Sequence, residues 1–404
     1  MGALVKGNML IAQSGGPTAV INQSLVGAVL EAKKHKQIRK LLGAKFGVKG
    51  ILAEDFVDLG RESAATLTAV ANTPSAALGS VRKKPTPEDC ARIFEVMKKY
   101  DVRYFFYIGG NDSAETAQII NTEAQKAGYE LNCYHIPKTI DNDLRENDHC
   151  PGYGSAARFV ALAVMGDNLD NRALPGVKID VIMGRRAGFL TAAAALAQHY
   201  PDDGPHLIYC PERPFDMNRF LEDVNRIHEK FGRCLVAVSE GISDANKTPI
   251  VSTFVKESDS FGNVQLSGTG ALGDLLAEQV RSKLKISRVR ADTFGYLQRS
   301  FPTVVSAVDA REARAVAAVA VRTAVKIGGS GSIAIRRKSG KRYGVTFECV
   351  SLECVARETR ELPDSFLNAE GNGVTKAFLD YIRPLVGPLP VMARLRGIRF
   401  KQQA

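Results

Sequence analysis

One junction, repeated along the chain, constrains the fold more than any other feature: a short apolar run, a glycine- or acid-bearing turn, then a helical pattern. Met9-Leu10-Ile11-Ala12 runs into Gln13-Ser14-Gly15-Gly16-Pro17-Thr18, and Ile21, Leu25, Ala28, Val29 and Ala32 then recur at helical spacing. After a predicted helix from about Pro87 to Tyr100, Tyr104–Ile108 has the length of a buried parallel strand. It ends in Gly109-Gly110-Asn111-Asp112-Ser113, with Ser113 the expected N-cap of a helix bearing Ala117, Ile120, Ala124 and Ala127. A third run, Cys133–Ile136, leads into Pro137-Lys138-Thr139-Ile140-Asp141-Asn142-Asp143. Strands alternating with helices predict an α/β fold with parallel sheets, whose ligands meet the carboxyl ends of the strands.

Each turn has two readings. Gly15-Gly16 either aims backbone N–H groups at an anion or relieves a tight strand-to-helix connection. Asp141-Asn142-Asp143 is good turn chemistry, yet charges placed straight after a buried strand are costly unless a ligand, metal or partner meets them. The second half continues the style. Ile179–Ile182 ends in Met183-Gly184-Arg185-Arg186 before an alanine-rich helix through about His199. His206–Tyr209 ends in Cys210-Pro211-Glu212, and Cys234–Val238 in Ser239-Glu240-Gly241. Arg185 reads as a ligand contact or a surface arginine, Glu212 and Glu240 as ligand contacts or helix caps. A long helix is expected over about Val304–Ile327, and Leu362-Pro363-Asp364 reads as a helix start.

Some classes are disfavoured. Gly268-Thr269-Gly270-Ala271-Leu272-Gly273 matches GxGxxG but lacks a strand before it, and no GxxxxGK[ST] or GxSxG occurs. Seven cysteines without a CxxC pair and six histidines without a cluster argue for reduced structural thiols rather than disulfides or zinc. No apolar stretch reaches membrane-spanning length and none resembles a signal, so the expectation is a cytoplasmic protein with no membrane partner. The net charge of +11 calls for anionic partners. Nucleic acid is disfavoured, for the one dense basic run, Arg336–Arg342, reads as a charged hairpin turn between apolar strands. Small phosphorylated ligands suit the charge better.

Taken in order, Ser-Gly-Gly at 14–16, Gly-Ser-x-Arg at 79–82, Gly-Gly-Asn-Asp-Ser at 109–113 and Thr-Ile-Asp-Asn-Asp at 139–143 resemble the motifs of phosphofructokinases. Met-Gly-Arg at 183–185, Glu240 and Gly-Tyr-Leu-Gln-Arg at 295–299 continue the resemblance, which covers about residues 8–310. Asp112 and Lys138 stand where ATP-using relatives carry glycines, which resembles the pyrophosphate-dependent branch. A carboxylate at 112 opposes a nucleotide's α-phosphate, while Lys138 supplies a cation for a free diphosphate end.

The resemblance implies two Rossmann-like, three-layer α/β domains with the active site in the cleft between them. The donor domain would comprise 1–152 plus about 298–354, and the sugar-phosphate domain about 153–297 plus 355–404. It implies reversible phosphoryl transfer from pyrophosphate to the C1 hydroxyl of fructose 6-phosphate, a step of glycolysis or gluconeogenesis. Asp141 would be the base, with Thr139 and Arg185 also in the catalytic set. Gly15, Gly16, Arg82, Asp112 and Lys138 would meet pyrophosphate, and Thr139, Asp141, Met183, Gly184, Arg185, Glu240, Arg290, Tyr296 and Arg299 the sugar phosphate. Mg²⁺ would be held by Asp112, Asp143 and Asn111. A homodimer or homotetramer is implied, with Arg290 reaching a neighbour's site. Three departures are visible: Asn111 replaces an aspartate, Tyr296 replaces a histidine, and the arginine expected near Gly176 is missing, with Lys178 out of register. Alternatives are an ATP-dependent phosphofructokinase and a non-catalytic regulatory subunit.

Overall fold

The computed structural model describes residues 5–83, 85–252, 270–340, 342–356, 358–395 and 397. In chain order, β1 (Gly7–Gln13), β2 (Ile38–Ala44), β3 (Phe56–Asp58), β4 (Val102–Gly109) and β5 (Asn132–Pro137) come first. A second set follows, β6 (Val177–Ile182), β7 (Leu207–Tyr209), β8 (Cys234–Ser239) and β9 (Val289–Thr293), before β10 (Ser330–Arg337) and β11 (Val345–Val350) return to the first sheet.

The larger sheet has the order β11-β10-β5-β4-β1-β2-β3, parallel from β10 to β2 and closed at each edge by an antiparallel strand. Its strands are apolar on both faces because both are covered. Met9, Ile11, Tyr104 and Phe106 pack with the helices Ile21–Ala32 and Ala307–Lys326; Leu10, Ala12, Phe105 and Tyr107 pack with Pro87–Lys99 and Asn111–Lys126. The first helix pair touches closely: a Cβ added to Gly27 would lie 2.3 Å from the Arg314 carbonyl oxygen. The smaller sheet, β7-β8-β6-β9, is parallel throughout. The helices Tyr153–Ala173 and Lys376–Val386 pack toward one of its faces, Met217–Phe231 and Ala271–Leu284 toward the other. Two three-layer α/β units result, as the chain pattern predicts.

The basic run over 336–342 does lie at a hairpin, since Arg337 pairs with Val345 at the end of the antiparallel β10–β11 ladder; Lys341 is outside the described residues. The GxGxxG match also falls partly outside them, its Gly270 capping the helix Ala271–Leu284. Three expectations are corrected. The helix after β4 starts at Asn111 with Gly110 as N-cap, and Ser113 is instead buried inside the first turn. The alanine-rich helix through His199 is a short α-helix, Phe189–Ala193, tightening into a 3₁₀ turn at Ala194–Ala197. Asp364 begins only a 3₁₀ turn, Asp364–Phe366. All seven cysteines are unbridged, and among the described residues no helix is long and apolar enough to cross a membrane.

Candidate active site

β1 is the point where the larger sheet reverses its order, with β2 on one side and β4 on the other. Such a reversal opens a crevice at the strands' carboxyl ends. Here the crevice is a cavity of about 890 Å³ walled from both sheets. Ser14–Gly16 follow β1, Gly110–Ser113 follow β4 and Lys138–Asp141 follow β5; opposite them stand Met183 and Arg185 after β6, Glu240 after β8, and Tyr296 and Arg299 after β9.

Gly15 is favoured by its left-handed backbone, and both glycines lie beneath side-chain cations. Gly15 has φ +75°, and a Cβ there would sit 3.1 Å from Lys138 Nζ; one on Gly16 would sit 3.3 Å from the Arg299 guanidinium carbon. The turn is tied down from behind. Gly15 N–H donates to the Val81 carbonyl at 3.1 Å, and Ser80 Oγ donates to the Gly15 carbonyl at 2.5 Å. The Gly15 amide, one of the two expected to meet the diphosphate, is thus engaged within the protein.

Lys138 is 3% exposed, and its Nζ donates to the Gly16 carbonyl at 2.7 Å. Burial, reinforced by the Arg299 and Arg82 cations, pulls its pKa down to about 7, against the opposing pull of Asp141 and Asp143. Burial raises the pKa of Asp141, while Arg299, Lys138, Arg82 and Arg185 favour its charged form. Asp143 is pushed up to about 7, by burial and then by the charge of Asp141, although the Thr139 hydrogen bond resists. Two neighbouring acids are thus held among four cations, a field suited to polyanionic ligands.

Thr139 organises this loop. Its Oγ1 accepts the Asp141 N–H at 3.1 Å and donates to Asp143 Oδ1 at 3.1 Å, and its own N–H donates to the Pro151 carbonyl. Both donors of Thr139 are engaged within the protein, and they hold the loop that carries Asp141 and Asp143. On the wall that follows β9, the Arg299 guanidinium lies 4.6 Å from the Tyr296 ring centroid. Two predicted residues are absent from the wall. Gly184 accepts from Ser239 Oγ at 2.6 Å, and Arg290 is exposed on the edge strand β9. Lys178 is also accounted for: its ammonium bridges Asp167, Asp180 and Asp292, the only group of three acids among the described residues able to surround a cation. It is not among the residues lining the cavity.

A divalent cation fits the donor set. Burial raises the pKa of both Asp141 and Asp143, and Asn111 and Asp112 add oxygens at the same cavity. Asp112, Asp141 and Asp143 do not close within 4.8 Å as a group of three. That suits an ion held by one or two carboxylates and completed by water and phosphate oxygens. Sequence reasoning left Ser14, Ser113, Thr116 and Thr359 unassigned, although all line the cavity. Thr116 lies one helical turn beyond Asp112 and was findable by spacing; Thr359 carries no local signal.

A fully buried histidine lies behind this loop, on β5. His135 lies between Ser332 Oγ and the Gly109 carbonyl, each 2.8 Å from a ring nitrogen. The carbonyl can only accept, so Nε2 carries the proton and Nδ1 accepts from Ser332. Burial first, then Lys138, pulls the His135 pKa down from 6.5 to about 4. A base depressed in the folded state contributes stability that is full above its unfolded pKa and lost as pH falls toward the folded one. Between pH 6.5 and 4 this group should remove on the order of 3 kcal/mol. Urea unfolding across that range is expected to show a shallower decline in His135→Gln than in wild type; equal slopes would show that His135 does not set it.

Comparison with known proteins agrees with this geometry. The sequence profile described as Phosphofructokinase matches residues 8–324. A pyrophosphate–fructose 6-phosphate 1-phosphotransferase of Rhodospirillum rubrum is 55% identical over 399 residues, covering 98% of both chains. Its Xanthomonas campestris counterpart is 41% identical, covering 95% of this chain and 92% of that protein. The crystal structure of a pyrophosphate-dependent phosphofructokinase from Marinobacter aquaeolei superposes with a TM-score of 0.85 at 33% identity, covering 97% of this chain and 94% of that one. The chain belongs to the phosphofructokinase family.

Proposed function

We propose that the protein moves a phosphoryl group reversibly between pyrophosphate and the C1 hydroxyl of fructose 6-phosphate, giving fructose 1,6-bisphosphate and phosphate. The observation that carries this reading is the buried Lys138 ammonium on the Gly16 carbonyl, facing the same cavity as Asp141 and Asp143. The full-length similarity to pyrophosphate-using relatives supports it.

The C1 oxygen attacks the terminal phosphorus of pyrophosphate. Asp141 takes the hydroxyl proton, and the bond from that phosphorus to the bridging oxygen breaks, releasing phosphate. Arg82, Lys138, Arg185 and the Gly16 amide stabilise charge on the phosphoryl oxygens; such preorganised donors carry much of the barrier lowering. Met183, Glu240, Tyr296 and Arg299 receive the sugar phosphate, and Arg suits its 6-phosphate because the fork binds bidentately. Asp143, with Asn111 and Asp112, would hold Mg²⁺, which neutralises phosphate charge when bound. The donor domain is 1–152 with about 298–354, and the remainder binds sugar. Arg290, exposed on an edge strand, serves a neighbouring subunit's site in a homo-oligomer. A cytoplasmic reaction is our reading, supported by cysteines that are all unbridged.

A coupled assay supplying fructose 6-phosphate with pyrophosphate or ATP tests this directly. Turnover is expected with pyrophosphate in both directions. Preference for ATP would overturn the donor, and no turnover with either would favour a regulatory subunit.

A further inference from the structure

Asn142, the middle residue of the 139–143 motif, has no part in the proposed chemistry, yet it separates the base from the metal-binding acid. Its backbone is left-handed, with φ +61°, a conformation in which asparagine is among the few tolerated side chains. Both polar atoms of its amide point into the protein. Oδ1 accepts the Cys150 N–H at 2.9 Å, and Nδ2 lies 2.7 Å from Tyr381 Oη. The backbone donor at Cys150 fixes the amide orientation, so Nδ2 must donate to the tyrosine. Tyr381 Oη then sends its own proton to the Asp148 carbonyl at 2.8 Å. Each of these three hydrogen bonds therefore has a fixed direction.

Tyr381 belongs to the helix Lys376–Val386, which packs with Tyr153–Ala173 by the smaller sheet, while Asn142 follows β5 of the larger one. The Arg337 guanidinium, 4.0 Å from the Tyr381 ring centroid, donates to the Tyr381 carbonyl at 2.8 Å. Phe366 packs against the ring at 5.2 Å between centroids. Arg360 completes the brace: its guanidinium donates to the Asn142 carbonyl at 2.7 Å and its backbone N–H to the Asp143 carbonyl at 2.6 Å.

We infer that Tyr381 is a positioning residue for phosphoryl transfer, acting through Asn142 to hold Asp141 and Asp143 at a fixed spacing and aimed into the cleft. This rests on the reading above, in which those two acids carry the chemistry. Tyr381 is not among the residues lining the cavity, so its loss should be felt in the reacting geometry and not in binding. Small misplacements of reacting groups cost up to about a hundredfold in rate.

The test is a double-mutant cycle on the full-length protein, with Tyr381→Phe, Asn142→Gly and the double variant. Phenylalanine keeps the ring packing, and glycine keeps the left-handed backbone. Tyr381→Phe is expected to lower kcat roughly 10- to 100-fold, with KM for each substrate changing less than about threefold. The double variant should match Asn142→Gly alone, because both changes cut one connection. A kcat within twofold of wild type, a raised KM at unchanged kcat, or losses that multiply would each overturn the inference. Should Tyr381→Phe fail to fold, Asn142→Gly alone must show the fall in kcat with KM retained; otherwise the inference is lost. The wild-type donor assay separates the two readings: a wild type that prefers ATP sinks the pyrophosphate reading, and the cycle is then run with ATP.

Discussion

Asp141→Asn is expected to lower kcat by about 10³-fold, the range general-base removal usually costs, with KM for pyrophosphate nearly unchanged. Asparagine fills the same space but cannot accept the C1 proton. The loss should be the same in both directions, because the group that takes a proton from fructose 6-phosphate must return it to fructose 1,6-bisphosphate in reverse. The pH profile gives a second reading. Burial raises the pKa of Asp141, and Asp143 beside it is pushed to about 7, so kcat should fall on acidification from above the ordinary carboxylate range. The apparent pKa belongs to the pair and not to either acid. In Asp141→Asn the neighbouring charge is gone, and the residual activity should hold to lower pH. Residual kcat within tenfold of wild type would remove Asp141 from the base role.

What the sequence revealed and what it hid follow from the range of the interactions. The strand–turn–helix junctions at 13–18 and 109–113 were legible because glycine, apolar runs and helical spacing are local signals. Asp141, Asp143 and Lys138 were legible for a related reason, as charges directly after a buried strand need an explanation. β2 was not read as a strand because its start, Ile38-Arg39-Lys40, is polar on the exposed side. The inward turn of the Thr139 hydroxyl depends on the loop's own backbone. Tyr381 meets Asn142 from 239 residues away, through a helix whose sequence marks only its apolar face. Arg290, expected to reach a neighbour's site, lies exposed on the edge strand of its own chain.

Lys138→Met should reduce kcat/KM for pyrophosphate by about 10²–10³-fold, the usual consequence of losing one preorganised donor to a transferring group. The methionine keeps the bulk that fills the space beside Gly15 and Gly16, so the effect isolates charge. Wild-type Lys138 is expected to impose its own pH limb. With a pKa near 7 in the unliganded protein, it loses its proton as pH rises, and kcat/KM for pyrophosphate should decline above neutrality. That limb should be absent from Lys138→Met, while KM for fructose 6-phosphate stays within a few fold. Asp112 tests the other half of donor choice. It stands exposed on the first turn of the helix Asn111–Lys126, at the cavity wall, where a carboxylate opposes further phosphate. Asp112→Gly combined with Lys138→Gly should therefore move the ratio of ATP to pyrophosphate turnover toward ATP, first by losing pyrophosphate and second by admitting the nucleotide. A Lys138→Met protein that keeps its pyrophosphate kcat/KM within threefold would show that the buried cation is not what selects the donor.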